Sequence, residues 1–367
     1  MVRPDSPLGY ANAAADTMMR KYKAEALPPK GHFHYHQGVF LSGMLKIATL
    51  SARDDIFIYA KNWIDSVFNP DASAKLVDYG DLDDIQPGII LYPIYDRTGN
   101  EIYRKEMDYV VGEYNACPRC KNGGLYHKVN LTGQMWLDGL YMVGPFIAEY
   151  GRRFNHPEYI DAIYHEVITM RNATRDEKTG LWYHAWDETR TAPWADKFTG
   201  RSGEFWGRSI GWVPVAILDI IDQIDEGDLR RIELVNVAVD LLSAVMRYQG
   251  KDGRWYQVVD KPNADGNWPE NSCTSLFAAA IAKAVCYGFL PKADSSIAEK
   301  AFKGVADSLE INDDDLEIGN VCIGTCVGDY DFYINRPCSI NDLHGVGTFL
   351  LMCASIEEMR RSLKYSD

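Results

Sequence analysis

Residues 133–150 read GQMWLDGLYMVGPFIAEY, and the way this stretch folds decides how the rest of the chain is read. As a helix it places Trp136, Leu140, Val143 and Ile147 on one stripe, with Met135, Tyr141, Met142 and Pro145 on the opposite side. A helix apolar on both faces belongs inside a large structure, and the periodicity predicts one over 133–153. One carboxylate, Asp138, falls on the second apolar face. Burying an ionised group there is costly unless it is paired or keeps its proton. Two readings follow from the residue alone. Asp138 is either a carboxylic acid held for proton transfer, or a structural group that caps a turn or pairs with a buried arginine.

Working outward, helical periodicity predicts further segments at 8–26, 35–52, 54–67, 83–97, 101–115, 157–172, 204–224, 229–248, 272–289, 294–309 and 342–361. Ser202, Asn271 with Ser272, and Asn341 with Asp342 are suitable N-cap residues at three of these starts. Twelve helices pair into six hairpins. Between them, GGLYH at 123–127, GLWYH at 180–184 and GRWYQ at 253–257 resemble one another, each opening on glycine and rich in aromatics. Three related units at intervals close to a sixth of the chain suggest a repeat. No linker or low-complexity run interrupts the pattern. The expectation is an all-α, (α/α)6 six-hairpin barrel, with residues 1–367 forming one domain.

The chain of 367 residues carries 38 Lys+Arg against 52 Asp+Glu, a formal charge of −14. That balance argues against nucleic acid and anionic membrane surfaces as partners, but not against a small anionic substrate held by a local basic group. No secretory signal or membrane-spanning run is legible, so eight cysteines read as free thiols of a cytoplasmic protein. The CPRC stretch at 117–120 has half-zinc-site spacing, with Cys322 and Cys326 as distant complements, yet it lacks a redox strand–loop–helix context. His32, His34 and His36 alternate, and they suit a polar rim better than a chelate. The acidic run at 312–317 lacks calcium-loop glycine and reads as a solvated turn. There is no P-loop, dinucleotide fingerprint or serine nucleophile elbow. Glycines 203, 207 and 211 suit close helix packing.

Chemistry concentrates in the segments preceding these helices. His127 and Lys128 precede Asp138, His184 follows two aromatics, and Trp206, Arg208 and Trp212 cluster with Trp194. Arg208 and Trp212 share a helix face, an arrangement suited to a carboxylate gripped beside a sugar stacked on indole, or to a ligand-free cation–π stack. Asp81, Asp83 and Asp84 either cap a helix or set one carboxylate opposite Asp138.

Seven segments in series resemble the unsaturated glycuronyl hydrolases, in particular the unsaturated rhamnogalacturonyl hydrolases of glycoside hydrolase family 105. They are HFHYHQGVFLSGM, LDDIQPG, GGLYHKV, MWLDGLYMVGPF, GLWYHAWDE, FWGRSIGW and NDLHGVGTFLL, spanning residues 32–351. The resemblance implies the six-hairpin barrel and an oligosaccharide substrate whose non-reducing uronate carries a 4,5 double bond, next to rhamnose. It also implies a reaction in which an aspartic acid protonates carbon 4 and its carboxylate then helps water add at carbon 5. The resulting hemiketal opens and expels the neighbouring sugar. No metal or cofactor is implied. By the same resemblance Asp138 is the acid/base and Asp83 the assisting carboxylate, with Asp84 as an alternative register. Tyr35, His127, Lys128, Trp136, His184, Trp206, Arg208, Trp212 and His344 are implied to line the substrate pocket. Three competing readings remain from the residues: a two-carboxylate glycosidase on saturated sugars, a non-catalytic oligosaccharide-binding protein, and an epimerase using His127 and His184 as bases. Oligomeric state is not legible.

Overall fold

The computed structural model describes residues 3–364. In chain order its helices are α1 (Pro7–Lys21), α2 (Tyr35–Ser51), α3 (Asp54–Val67), α4 (Leu91–Thr98) and α5 (Glu101–Ala116). They continue with α6 (Asp138–Arg153), α7 (Pro157–Thr174), α8 (Gly207–Ile220) and α9 (Leu229–Met246). The last four are α10 (Asn271–Cys286), α11 (Ser295–Asp307), α12 (Tyr330–Ile334) and α13 (Leu343–Lys364). Helices α2, α6, α8, α10 and α13 close a ring with the 3-10 turns Leu82–Asp84 and Gln86–Ile90 that lead into α4. Around them, α1, α3, α5, α7, α9 and α11 pack outside, each on an inner neighbour. This is the expected six-hairpin barrel of two concentric rings, and one apolar cluster running from Tyr10 to Met359 fills it. Among the described residues no helix is long and apolar enough to cross a membrane.

Close packing of the inner ring explains two of the three spaced glycines. A Cβ at Gly207 would sit 2.9 Å from Cys273 Sγ, and one at Gly211 would sit 2.8 Å from the Leu276 Cβ, so α8 meets α10 there with no room to spare. The aromatic repeat is also structural. Gly123, Gly180 and Gly253 have φ of +94°, +77° and +92°, a conformation that favours glycine. Each closes a turn that folds back on the preceding helix end, through Cys120 N–H to Gly124 O, Asp176 N–H to Leu181 O and Gly250 N–H to Arg254 O, each at 2.8 Å.

Several local expectations are corrected. The helix expected from 133 begins at Asp138, because Gln134–Trp136 (β1) pairs antiparallel with Ala185–Asp187 (β2). Trp136 therefore belongs to a strand, and Asp138 occupies the first turn of α6 instead of its interior. The segment 83–97 is broken into 3-10 turns before α4, as expected where Pro87 and Gly88 interrupt the backbone pattern. Ser202 does not cap α8, which starts at Gly207; its hydroxyl accepts Ala185 N–H at 3.2 Å. Glu270, not Asn271 or Ser272, caps α10 by accepting Cys273 N–H at 2.6 Å. The acidic run at 312–317 does hold an exposed turn at 313–314, but it is the tip of a hairpin, Glu310–Asn312 (β3) with Asp315–Glu317 (β4), tied to Arg20 through Asp315 at 2.7 Å. A third pair, Val321–Cys322 (β5) with Cys338–Ser339 (β6), supports the segment between them.

Candidate active site

The inner elements all direct their N-terminal ends to one side of the ring, where a cavity of about 220 Å³ opens. Tyr35 and His36 reach it from the start of α2, Asp83 from a 3-10 turn, Asp138 from α6, and Trp206 and Arg208 from α8. Unpaired N–H groups and the helix dipole make such ends favourable for anions. At α10 and α13 this positive end is occupied by the protein's own carboxylates. Glu270 caps the first, and Asp342 Oδ1 lies 2.8 Å from His344 Nδ1 at the second. The starts of α2, α6 and α8 face the cavity directly.

Two carboxylates line this cavity in different settings. Asp83 is fixed by Lys128, whose ammonium donates to Asp81 at 2.6 Å and to Asp83 at 3.0 Å. His127 Nε2 lies 3.7 Å from its other oxygen. Burial opposes ionisation of Asp83, but these basic neighbours outweigh it and hold its pKa down at about 2, while burial and the Asp83 charge raise Asp81. Asp138 has one side-chain hydrogen-bond partner among the described residues, His184 Nε2 at 3.1 Å from Oδ2. About 14 % of the Asp138 side chain is open, towards the cavity. His184 itself is fully buried, and burial lowers its pKa and favours the neutral ring.

Of the two neighbouring aspartates, Asp83 lines the cavity and Asp84 does not. Asp84 turns away from the cavity, accepts Asp78 N–H at 2.5 Å, and holds His34 Nδ1 at 2.6 Å. Arg208 lines the cavity, but its two terminal nitrogens donate to the carbonyls of Cys322 at 2.6 Å and Ile323 at 2.8 Å. Its guanidinium also lies over Trp206 at 4.5 Å and 3.9 Å from Glu270. It presents charge to the cavity from a fixed position. Trp136 stacks on His127 at 4.5 Å, and Trp212 on Tyr141 at 4.6 Å.

Of the residues singled out from sequence, Tyr35, Asp83, His127, Lys128, Trp136, Asp138, Trp206, Arg208 and Trp212 meet at the cavity. Two do not. His184 stands behind Asp138, and His344 is buried behind Tyr35 and His36, with Nε2 3.0 Å from the Cys322 carbonyl. His34 and His36 also line the cavity, and ligand atoms of His36, Asp342 and His344 lie within 4.8 Å of one another, closer than a simple polar rim requires. Met142, one turn after Asp138, has the spacing of a core residue yet reaches the cavity, as i and i+4 positions share a face. The lining from Gly324, Thr325 and Cys326 escaped sequence reasoning, because their loop carries no periodic signal. Buried nitrogens of three lining residues, His36 Nδ1, His127 Nδ1 and Trp206 Nε1, have no hydrogen-bond partner among the described residues. Cys117 and Cys120 lie outside the cavity as free, buried thiols, each raised by burial to about 12, and Cys117 donates to Glu113 O.

Comparisons with known proteins agree with this architecture. The family described as Glycosyl Hydrolase Family 88 matches residues 10–360. A Clostridium acetobutylicum structure described as a glycoside hydrolase from family 105 superposes with a TM-score of 0.89 at 30% identity, covering 95% of this chain and 99% of that one. The unsaturated rhamnogalacturonyl hydrolase YesR of Bacillus subtilis is 25% identical over 297 residues, 79% of each protein. The unsaturated glucuronyl hydrolase of Bacillus sp. GL1 shares the fold, with a TM-score of 0.72, 14% identity and 95% of both chains covered.

Proposed function

This chain belongs to Glycosyl Hydrolase Family 88, and from that premise we propose that it removes the 4,5-unsaturated uronic acid from the non-reducing end of lyase-generated oligosaccharides. The neighbouring sugar in this proposal is rhamnose, as in the substrate named for YesR. The reading is carried by the asymmetry of the two cavity carboxylates. Asp83 is committed to Lys128, whereas Asp138 has one neutral partner and an oxygen available to substrate. An acid that donates and later receives a proton needs that freedom.

In the proposed reaction the uronate carboxylate lies towards Arg208 and the positive ends of α2, α6 and α8, where its charge is favoured. Asp138 gives its proton to carbon 4. The π electrons of the double bond form the new C–H bond, and carbon 5 becomes cationic, sharing charge with the ring oxygen. Water then adds at carbon 5 and returns a proton to Asp138. The hemiketal opens and the glycosidic partner leaves as an alcohol. Asp83 remains anionic and favours the cationic stage electrostatically. A two-carboxylate mechanism on saturated sugars would need Asp83 as a mobile base or nucleophile, and the ammonium on it argues against that. The substrate is a soluble oligosaccharide, and we place the reaction in the cytoplasm.

The test is loss of the ultraviolet absorbance of the double bond in unsaturated rhamnogalacturonan disaccharide. Wild type should consume it and Asp138→Asn should not. A flat trace with wild type across several unsaturated disaccharides would overturn the proposal.

A further inference from the structure

His184 is fully buried and both of its ring nitrogens are engaged. Nε2 meets Asp138 Oδ2 at 3.1 Å, and Nδ1 meets the Tyr333 hydroxyl at 2.6 Å. The same hydroxyl lies 3.1 Å from the Gly328 amide. An amide N–H only donates, so the phenol oxygen accepts from Gly328 and its single proton points elsewhere. The one acceptor beside it is His184 Nδ1. A neutral imidazole carries one proton, which then resides on Nε2 and is donated to Asp138. The bonds run in one direction, from Gly328 to Tyr333 to His184 to Asp138.

We propose that Tyr333 is a positioning residue of the reaction: by holding His184 as the Nε2–H tautomer, it keeps the transferable proton of Asp138 on Oδ1, the oxygen facing the sugar. The proposal rests on the reading of Asp138 as the acid. A carboxylic acid has one proton, and an oxygen already receiving an N–H is the poorer place for it. With Oδ2 occupied by His184, the proton lies on Oδ1, from which carbon 4 takes it and to which water later returns it. His184 keeps its own proton throughout. Without the Tyr333 donor, His184 is free to protonate at Nδ1, and its Nε2 then accepts the Asp138 proton on the side away from the substrate.

Tyr333 is built for such a fixed role. It sits on the five-residue helix α12, capped by Asp329, which accepts Phe332 N–H at 2.9 Å. Gln257 Nε2 donates to the Tyr333 carbonyl at 3.1 Å. Its ring lies parallel to Trp206, 5.7 Å between centroids at 11°. Burial raises the phenol well above its ordinary pKa, so it stays a donor. Phenylalanine at this position retains the stack and the helix and removes the O–H alone.

Nitrogen-15 correlation spectra of the histidine rings test the tautomer directly, with His184→Gln identifying the signal. Wild type should show His184 as the Nε2–H form at neutral pH, and Tyr333→Phe should show a mixture. In kinetics, Tyr333→Phe should lower kcat about tenfold or more with KM nearly unchanged. The pH profile of kcat should differ from that of wild type, because the hydrogen bond between His184 and Asp138 then runs the other way. An Nδ1–H form in wild type would overturn the proposal, and so would an unchanged pH profile and kcat in a folded variant. The wild-type spectrum decides the tautomer even if the variant fails to fold. Failure of the functional reading looks different. Wild type would then leave unsaturated disaccharides intact, which removes Tyr333 from this reaction while the Nε2–H signal stays.

Discussion

The two sides of the cavity place the same side chain in opposite circumstances. On one side Asp83 shares an ammonium with Asp81 through one oxygen and has His127 near the other, so its charge is fixed. On the other, Asp138 meets a single neutral imidazole and is otherwise turned to the cavity. Sequence neighbours do not separate these roles, since both are aspartates at the start of an inner element. The difference lies in what reaches them from elsewhere in the chain. A carboxylate saturated with cations is a fixed charge, whereas one with a neutral partner can exchange a proton.

The comparison breaks most sharply at Asp138. Asp138→Asn should lower kcat by about a thousandfold or more, within the range for a lost general acid. Disaccharide binding, followed by tryptophan fluorescence, should survive. Equal loss of binding and turnover would make Asp138 a binding group instead.

Next in size is Lys128→Met, which takes the cation from Asp81 and Asp83. We expect a loss of about ten- to a hundredfold in kcat and a new acidic limb in the pH profile. The sign follows from the depressed pKa of Asp83. In wild type it stays ionised down to about 2, and without the ammonium it protonates at higher pH. The stability linked to Asp83 is present above its unfolded value of about 3.9 and is lost as pH falls towards 2. Acid unfolding of Lys128→Met should therefore begin at higher pH than in wild type, as seen by circular dichroism. An unshifted acid transition would show that the ammonium does not hold Asp83 ionised.

A smaller effect is expected at Asp84, which orients His34 and the 78–84 turn without reaching the cavity. Asp84→Asn should change kcat by less than about fivefold and act mainly through KM, as for other groups that position and do not react. A loss matching that of Asp138→Asn would assign Asp84 the chemistry and undo the contrast.

How far these roles can be read from residues alone follows from which contacts are local. Helix α3 spans 54–67 as its apolar spacing predicts, and the twelve periodic segments correspond to helices or helical turns of the two rings. Those signals are carried by residues three and four apart. Local spacing places the start of α6 too early because β1 pairs with a strand some fifty residues later, and that pairing moves Asp138 from a helix interior to its first turn. Arg208 was legible as a basic group beside indoles, but its bonds to the Cys322 and Ile323 carbonyls come from a loop more than a hundred residues away. Tyr333 lies on a helix of five residues, too short to show a period, and meets His184 across 149 positions. The choice between Asp83 and Asp84 rested on which carboxylate Lys128 and His34 reach, a tertiary fact.

The most direct test is hydrolysis of unsaturated rhamnogalacturonan disaccharide in deuterium oxide, with the fresh product read by NMR before its α-protons exchange. If Asp138 protonates carbon 4, wild type should give product with one deuterium at that carbon in a single configuration, and Asp138→Asn should give essentially none. Release of a uronate whose 4,5 double bond is intact, or deuterium scrambled over both configurations from the outset, would contradict proton delivery by Asp138.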